Sequence, residues 1–390
     1  MIVRQFINWI KTAPAGERAE ATRALARAWL ISDLSAEDRA AAEGALLMQL
    51  DDASPLVRQA MAQVFAESAQ APAAIVQALS LDQPSVALPI LERSPLLIDA
   101  DLVDIVAGGN SQTQCAIARR VGLQASVCAA IAEVGTAEAA LELIENPYAE
   151  LASFSWDRIV ERHGHLAAIR ESMLALEDLP AATRLALIAK LTDTLAQFVV
   201  ARKWLSADRA ERVASEARDR STVNIAAVSR GDDMSGLVRH LRVTRQLTAG
   251  LILRALLSGN VELFEAALAE LSELPRQRVA ALLHDQGRAS LHALLKRAGL
   301  PESTFAAFQA ALEVGHENGF ADTLAGAARL RRRMVERVLT LCETDEQAAE
   351  PLLILLRRFA TESAREEARM FCEELAAADI APRHHALIAA

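Results

Sequence analysis

The sequence predicts an all-α protein: an α-solenoid of short HEAT-like helical repeats followed by a longer-helix array or bundle. Three observations carry that expectation. Of the 390 residues, 52% are hydrophobic but only 4% aromatic, with a single Tyr. A sandwich or barrel needs aromatic and β-branched strands with frequent turns between them, whereas here Ala and Leu dominate and only 16 Gly and 12 Pro punctuate the chain. Apolar segments also recur at a near-constant interval, which is the mark of stacked helical repeats. A mean hydropathy of +0.17 excludes a disordered chain.

Residues 1–45 read as an N-terminal helical cap. Ile2, Val3, Phe6, Ile7, Trp9 and Ile10 can cover the open end of a repeat array. Thr12 and Ser35 stand where helix N-caps belong, and Ser35-Ala-Glu-Asp38 has capping-box form. A membrane-surface helix would carry a well-populated basic face, and this segment offers only Arg4 and Lys11.

Residues 46–150 hold the short repeats. Apolar helices start at Leu47, Ile75, Leu102 and Val127, spaced 28, 27 and 25 residues apart. Each is followed by a polar break: Asp51-Asp-Ala-Ser-Pro55, Asp82-Gln-Pro84, Gly108-Gly-Asn-Ser111 and Gly135-Thr136. A second helix then covers 56–66, 86–91, 114–119 or 137–144, and closes at Glu67-Ser68, Arg93-Ser-Pro95, Arg119-Arg120 or Glu145-Asn-Pro147. Two helices this short cannot bury their apolar faces alone, so neighbouring pairs must stack.

Beyond about residue 150 the period is lost and the helices lengthen, giving a longer-helix array over 151–315 and C-terminal helices over 316–390. Pro180 opens one run and Ser206-Ala-Asp-Arg209 another. Gly231-Asp-Asp-Met-Ser-Gly236 reads as a loop, with residues 237–257 helical after it. Four shorter helices start near Asn260, Pro275, Arg288 and Pro301, with Gly259, Gly287 and Gly299 in C-cap positions. Residues 320–342, 346–359 and 363–377 finish the chain as helices.

The net charge of −10 is uneven. Residues 1–150 carry 19 acidic and 10 basic side chains, against 32 and 31 in the remainder, so the front half repels phosphate backbones. No membrane span is expected: the best apolar run, 181–201, is interrupted by Arg184, Lys190 and Asp193. No signal-type segment is expected at the N-terminus. Cys115, Cys128, Cys342 and Cys372 are far apart and form no CxxC pair, which suits reduced thiols in a cytoplasmic protein.

No catalytic constellation is visible, and neither a metal nor a cofactor is expected. His163-Gly-His165 and His384-His385 lack partners at ligand spacing. His284-Asp285 and His316-Glu317 are consecutive, so on a helix they point about 100° apart. The 231–236 segment lacks the Lys of a phosphate loop, and its Asp232 and Asp233 would repel phosphate. Two features keep alternatives open. Arg329, Arg331, Arg332, Arg333 and Arg337 make a basic stripe on one helix, which could grip nucleic acid or an acidic protein, although Glu336 and Glu343 sit among them and base-stacking aromatics are missing. His240-Leu-Arg-Val-Thr-Arg-Gln-Leu247 faintly resembles the phosphoacceptor helix of a class of bacterial histidine kinases, which would make His240 a phosphoryl acceptor or part of a dock for a response regulator.

Four segments carry a wider resemblance: Asp51-Asp-Ala-Ser-Pro-Leu-Val-Arg58, Leu91-Glu-Arg-Ser-Pro-Leu-Leu97, Leu247-Thr-Ala-Gly-Leu-Ile-Leu-Arg-Ala-Leu256 and Leu263-Phe-Glu-Ala-Ala-Leu-Ala-Glu-Leu271. They resemble a family of alphaproteobacterial helical-repeat proteins catalogued as a domain of unknown function. The resemblance implies a HEAT-like fold and a bacterial cytoplasmic setting, and it brings no catalytic residues. The expected role is a non-enzymatic scaffold that presents a repeat groove to a protein partner.

Overall fold

The computed structural model describes residues 2–284, 288–318, 324–344 and 350–380, with the side chains at 2–5, 316–318, 324–327, 329, 374 and 376–380 outside the description. The chain divides into two compact units, Met1–Leu179 and Pro180–Ala390. Both are all-α, and among the described residues the nearest thing to β-structure is an isolated parallel bridge between Leu123 and Ala149.

The first unit comprises α1 (Ile2–Ile10), α2 (Ala15–Ile31), α3 (Ala36–Met48), α4 (Pro55–Phe65), α5 (Ala73–Ser80), α6 (Pro84–Arg93) and α7 (Asp99–Gly108), followed by α8 (Ser111–Ala118), α9 (Ala125–Val134), α10 (Ala137–Glu145), α11 (Ser153–His163) and α12 (Ala167–Leu174). Helices pack on the next but one in sequence. The series α2, α4, α6, α8, α10, α12 forms one layer, and α7, α9, α11 another. Cross-layer contacts pair α5 with α6, α7 with α8 and α9 with α10. This is solenoid-like packing of successive short helices, and α11 and α12 continue it beyond residue 150. The shared core is aliphatic and thin: Val57, Met61, Ile75, Leu79, Ile90, Ile117, Val127, Ile131 and Leu143 are fully buried. Helices of 8 to 11 residues are marginal in isolation, so this burial is what holds them helical.

The sequence marks where these helices begin. Ser35 accepts the Asp38 N–H at 3.1 Å, Asn110 that of Thr113 at 3.1 Å and Thr136 that of Ala139 at 3.3 Å. Pro55 and Pro84 occupy first helical positions, where no N–H is required. Thr12 is not an N-cap: Pro14 precedes α2, and the Thr12 hydroxyl donates backwards to the Trp9 carbonyl.

Helix ends in this unit follow a different rule. α6 and α9 leave into extended backbone and α8 stops at Arg119, each with carbonyls unsatisfied within the helix. A side chain about one repeat downstream fills the gap. Arg120 donates to the Leu91 carbonyl at 2.6 Å and to Ser94 at 2.7 Å. Asn146 donates to Ala118 at 2.7 Å and Arg120 at 2.8 Å, and Arg162 donates to Ala132 at 2.9 Å. A cation there also meets the negative end of the helix dipole. The closing residues of the sequence repeat are therefore caps for the repeat before.

The second unit comprises α13 (Ala181–Ala201), α14 (Ala207–Val228), α15 (Gly231–Val243), α16 (Ala249–Leu257), α17 (Val261–Ser272), α18 (Arg276–His284), α19 (Arg288–Arg297), α20 (Phe305–Asn318), α21 (Leu324–Glu343) and α22 (Glu350–Ile380). α13 and α14 pair as a hairpin, α15 packs on α13, and α17 packs on α15. One apolar cluster joins Ala181 and Leu185 to Val223, Met234, Leu237, Leu251 and Leu263. A second, larger cluster runs from Ile252 through Phe264, Phe308 and Met334 to Leu356, and is closed by the α21–α22 pair.

Here helices end on left-handed residues. Gly259, Gly299, Lys203, Arg245 and Glu273 all have φ between 57° and 77°. In each case the following N–H reaches back five residues, as Trp204 does to Val199 at 3.0 Å and Gln246 to Leu241 at 2.8 Å. Gly287, placed by sequence at a third such glycine cap, lies outside the described residues.

Three sequence expectations are corrected. The 231–236 segment is not a loop but the first turn and a half of α15: Asp232 and Asp233 favour the positive end of that helix, and the Asp233 carboxylate accepts the Ala181 N–H at 2.7 Å. Residues 237–257 are not one helix, because Arg245 turns left-handed and Thr248 caps a new start by accepting the Leu251 N–H at 3.2 Å. The last two expected helices are one, Glu350–Ile380, since no Gly or Pro separates 359 from 363.

Candidate interaction surfaces

The basic stripe lies on α21, and its charges are engaged by neighbouring acids. Arg331 pairs with Glu366 of α22, and Arg332 reaches Glu336 at 2.7 Å and Glu367 at 2.7 Å. Those carboxylates hold the Arg332 guanidinium well above its ordinary pKa. Arg333 and Arg337 are exposed, and the Arg329 side chain lies outside the described residues. The pairings make Arg331 and Arg332 part of the inter-helix seam that, with the apolar cluster beneath it, joins α21 to α22.

His240 is half-buried near the end of α15, and its backbone carbonyl accepts the Thr244 N–H at 2.9 Å and hydroxyl at 2.8 Å. Neighbouring Arg242 reaches the Glu270 carboxylate at 3.1 Å and carbonyl at 3.0 Å.

The remaining chemical candidates are dispersed. No group of three His, Cys, Asp or Glu side chains with metal-holding geometry occurs among the described residues. His163 faces the Gly135 carbonyl at 3.4 Å, and burial beside Arg162 lowers its pKa, while His165 is exposed. His284 donates to Ala280 at 2.8 Å. Asp285, His384, His385 and the side chains of His316 and Glu317 lie outside the described residues. Burial raises the Cys128 thiol to about 11, with its Sγ 3.6 Å from the Leu123 carbonyl, so it is not a ready nucleophile at neutral pH. A cavity of about 80 Å³ between Leu256, Leu283, Leu312 and Met334, with Glu265 and His284 on its wall, is small beside ordinary ligand sites.

What the structure assembles instead is an edge of the first unit. The turns after α6, α8 and α10 lie side by side, tied by the Arg120 and Asn146 caps and by the bridge in which Leu123 N–H meets the Tyr148 carbonyl at 3.2 Å and Glu150 N–H meets the Leu123 carbonyl at 3.0 Å. Ile98, Val121 and Tyr148 occupy these turns and are 64, 77 and 60% exposed. Sequence reasoning missed the row, because one apolar residue in a turn carries no periodicity. The available signal was its recurrence in three consecutive repeats.

A second contact series runs between repeats on polar side chains. Arg18 pairs with Asp52, Arg58 with Asp82, Arg93 with Glu67, Arg119 with Glu142 and Arg158 with Glu133. The last four pairs span 23 to 26 residues, one repeat each.

No curated protein and no solved structure matches the chain. A family model described as "uncharacterised protein conserved in bacteria" (DUF2336) matches residues 86–347. That span takes in α6 to α21, most of both units, and three of the four segments whose wording suggested a family. The chain therefore belongs to this family of proteins conserved in bacteria.

Proposed function

We propose that the protein is a non-enzymatic cytoplasmic scaffold that holds a protein partner along the turn edge of its first unit. The row of exposed Ile98, Val121 and Tyr148 carries the reading. Each of three consecutive inter-repeat turns on this edge exposes one large apolar side chain, whereas apolar residues scattered singly over a surface need no explanation. Residues 1–179 contain 24 acidic and 13 basic side chains, and Asp99, Asp101 and Glu150 lie next to the row in sequence. The complementary partner is a protein segment that alternates apolar and basic residues.

Val121→Glu with Tyr148→Ser tests this, because both side chains are exposed and their loss leaves the core intact. Affinity capture from native lysate should recover a partner with the wild type and lose it with the double variant, and the wild-type contact should weaken as salt rises. Recovery of the same proteins by both chains, or of none by either, would overturn the reading.

A further inference from the structure

Among the described residues the α13–α14 hairpin is anchored at its root and, midway along α14, by the Glu216–Arg358 ion pair to α22. Ala181 and Leu185 of α13 and Val223 and Ala226 of α14 are buried in the core of the second unit, but from Asp193 to Val213 most side chains are exposed. The far end carries Leu195, Phe198, Trp204 and Val213, each between 46 and 66% exposed. Trp204 sits edge-on to Phe198 with ring centroids 5.7 Å apart, and the Arg202 guanidinium lies 5.2 Å above the Phe198 ring. Arg202, Lys203, Arg209 and Arg212 are all exposed at this end of the hairpin. The acids in the same stretch are Asp193, Asp208 and Glu211, and both Asp193 and Glu211 are held by Arg218 at 2.6 Å. Lys203 stands at φ 60°, where Gly is the comfortable residue. The tip is thus aromatic and net basic in a chain of net charge −10.

We infer that the tip of the α13–α14 hairpin docks on an anionic lipid surface. Trp204 and Phe198 enter the headgroup layer, and Arg202, Lys203, Arg209 and Arg212 meet the lipid charges. Charge complementarity selects this occupant. Tip-to-tip contact with a second copy would bring two basic clusters together. The blunt end of a two-helix hairpin offers a partner helix no groove, whereas a headgroup layer deforms around it. Amphipathic aromatic rings with adjacent cations are what such a layer favours.

The full chain is mixed with vesicles of phosphatidylcholine alone and of phosphatidylcholine with phosphatidylglycerol, and followed by cosedimentation and tryptophan emission. Binding is expected only to the phosphatidylglycerol vesicles, with a blue shift that Trp204→Ser removes. Lys203→Gly should lower the partition about fivefold, the loss of one cation near the surface. That variant also relieves the left-handed φ, so its melting temperature holds or rises, and misfolding cannot account for weaker binding. Absence of phosphatidylglycerol binding, or equal binding by Trp204→Ser and Lys203→Gly, overturns the inference. So does self-association of the free chain that Trp204→Ser abolishes, or tip-dependent binding to soluble polyglutamate without any binding to vesicles.

Discussion

Arg18 grips Asp52 with two parallel bonds, Nε to Oδ2 and Nη2 to Oδ1, each 2.8 Å, and its remaining nitrogen Nη1 donates to the Ala13 carbonyl at 2.8 Å. Asp52 in turn accepts the Ser54 N–H at 2.8 Å, ahead of α4. Arg58 repeats the arrangement on Asp82, with its third contact to the Asp52 carbonyl. Each Asp stands at the turn inside a helix pair, and each Arg comes from the preceding helix of the stack. Two-pronged geometry of this kind joins successive repeats more specifically than a point charge could.

The arginine bonds hold the carboxyls of Asp52 and Asp82 below the ordinary aspartate range. A depressed folded pKa gives stability that is present above the unfolded value of about 4 and is lost as pH falls through the folded value. Asp52→Asn combined with Asp82→Asn should therefore lower the melting temperature by several degrees at pH 7. The gap should close as the pH falls below about 4. Thermal melts of the two proteins across that range decide it: a gap that persists in acid would show that the carboxylate charge is not what stabilises the stack.

A Cβ on Gly135 would lie 2.4 Å from the Ile131 carbonyl oxygen, with the Ile131 side chain 3.0 Å away. Gly135→Ala must move backbone, and a loss of about 2 kcal/mol or more is expected. Gly44 is the control, since it lies inside α3, is exposed, and a Cβ there meets nothing within 4 Å. Gly44→Ala should stabilise by about 0.5–1 kcal/mol. Urea unfolding of both variants tests the pair, and equal effects would refute the steric account.

Arg245 and Glu273 hold left-handed conformations, at φ 58° and 57°, that glycine adopts without a Cβ clash. Glu273→Gly should be neutral or stabilising by up to about 1 kcal/mol, since its ion pair to Arg242 is a long 3.5 Å contact of an exposed side chain. The same change at an ordinary exposed helix position, such as Ala41→Gly in α3, should cost about 1 kcal/mol. Opposite signs for one substitution, read in the same denaturant titration, are the expected result.

Much of the first unit was legible in the sequence because its signals are local. The breaks opened by Asp51, Asp82, Gly108 and Gly135 all mark helix junctions, Gly108 being the last residue of α7. Asn110 and Thr136 cap as their side-chain chemistry requires. Legibility fails where the deciding partner is distant. Gly231 to Gly236 reads as a turn until Asp233 is seen accepting from Ala181, 52 residues away. Of the α21 arginines, Arg331 and Arg332 show their partners only when Glu366 and Glu367 are brought alongside, each 35 residues on. Arg120 reads as a surface charge, yet its guanidinium closes the previous repeat. The exposed residues Ile98, Val121 and Tyr148 were hidden for a related reason: the stack brings together three turns whose apolar residues the sequence separates by 23 and 27 positions.

The buried end of Arg254 gives the last prediction. Its guanidinium lies 4.2 Å over the Phe359 ring, and Nη1 donates to Glu362 at 2.8 Å, while Nε finds no hydrogen-bond partner among the described residues. Asp219 stands in the same charged neighbourhood, and burial raises its pKa although Arg254 and Arg218 pull it down. A raised folded pKa means that ionised Asp219 costs stability above that value, and that the cost fades as pH falls towards the unfolded pKa of about 4. Asp219→Asn should accordingly raise the melting temperature at pH 7 and leave it nearly unchanged at pH 3. Removing the cation has the opposite effect: Arg254→Ala strands Glu362 and empties the space over Phe359, for a loss of about 3 kcal/mol. Arg254→Met with Glu362→Leu removes both charges and keeps the volume, so it should lie much closer to the wild type. If the double variant is as unstable as Arg254→Ala, the charge of Arg254 rather than the volume it fills over Phe359 holds α16 to α22.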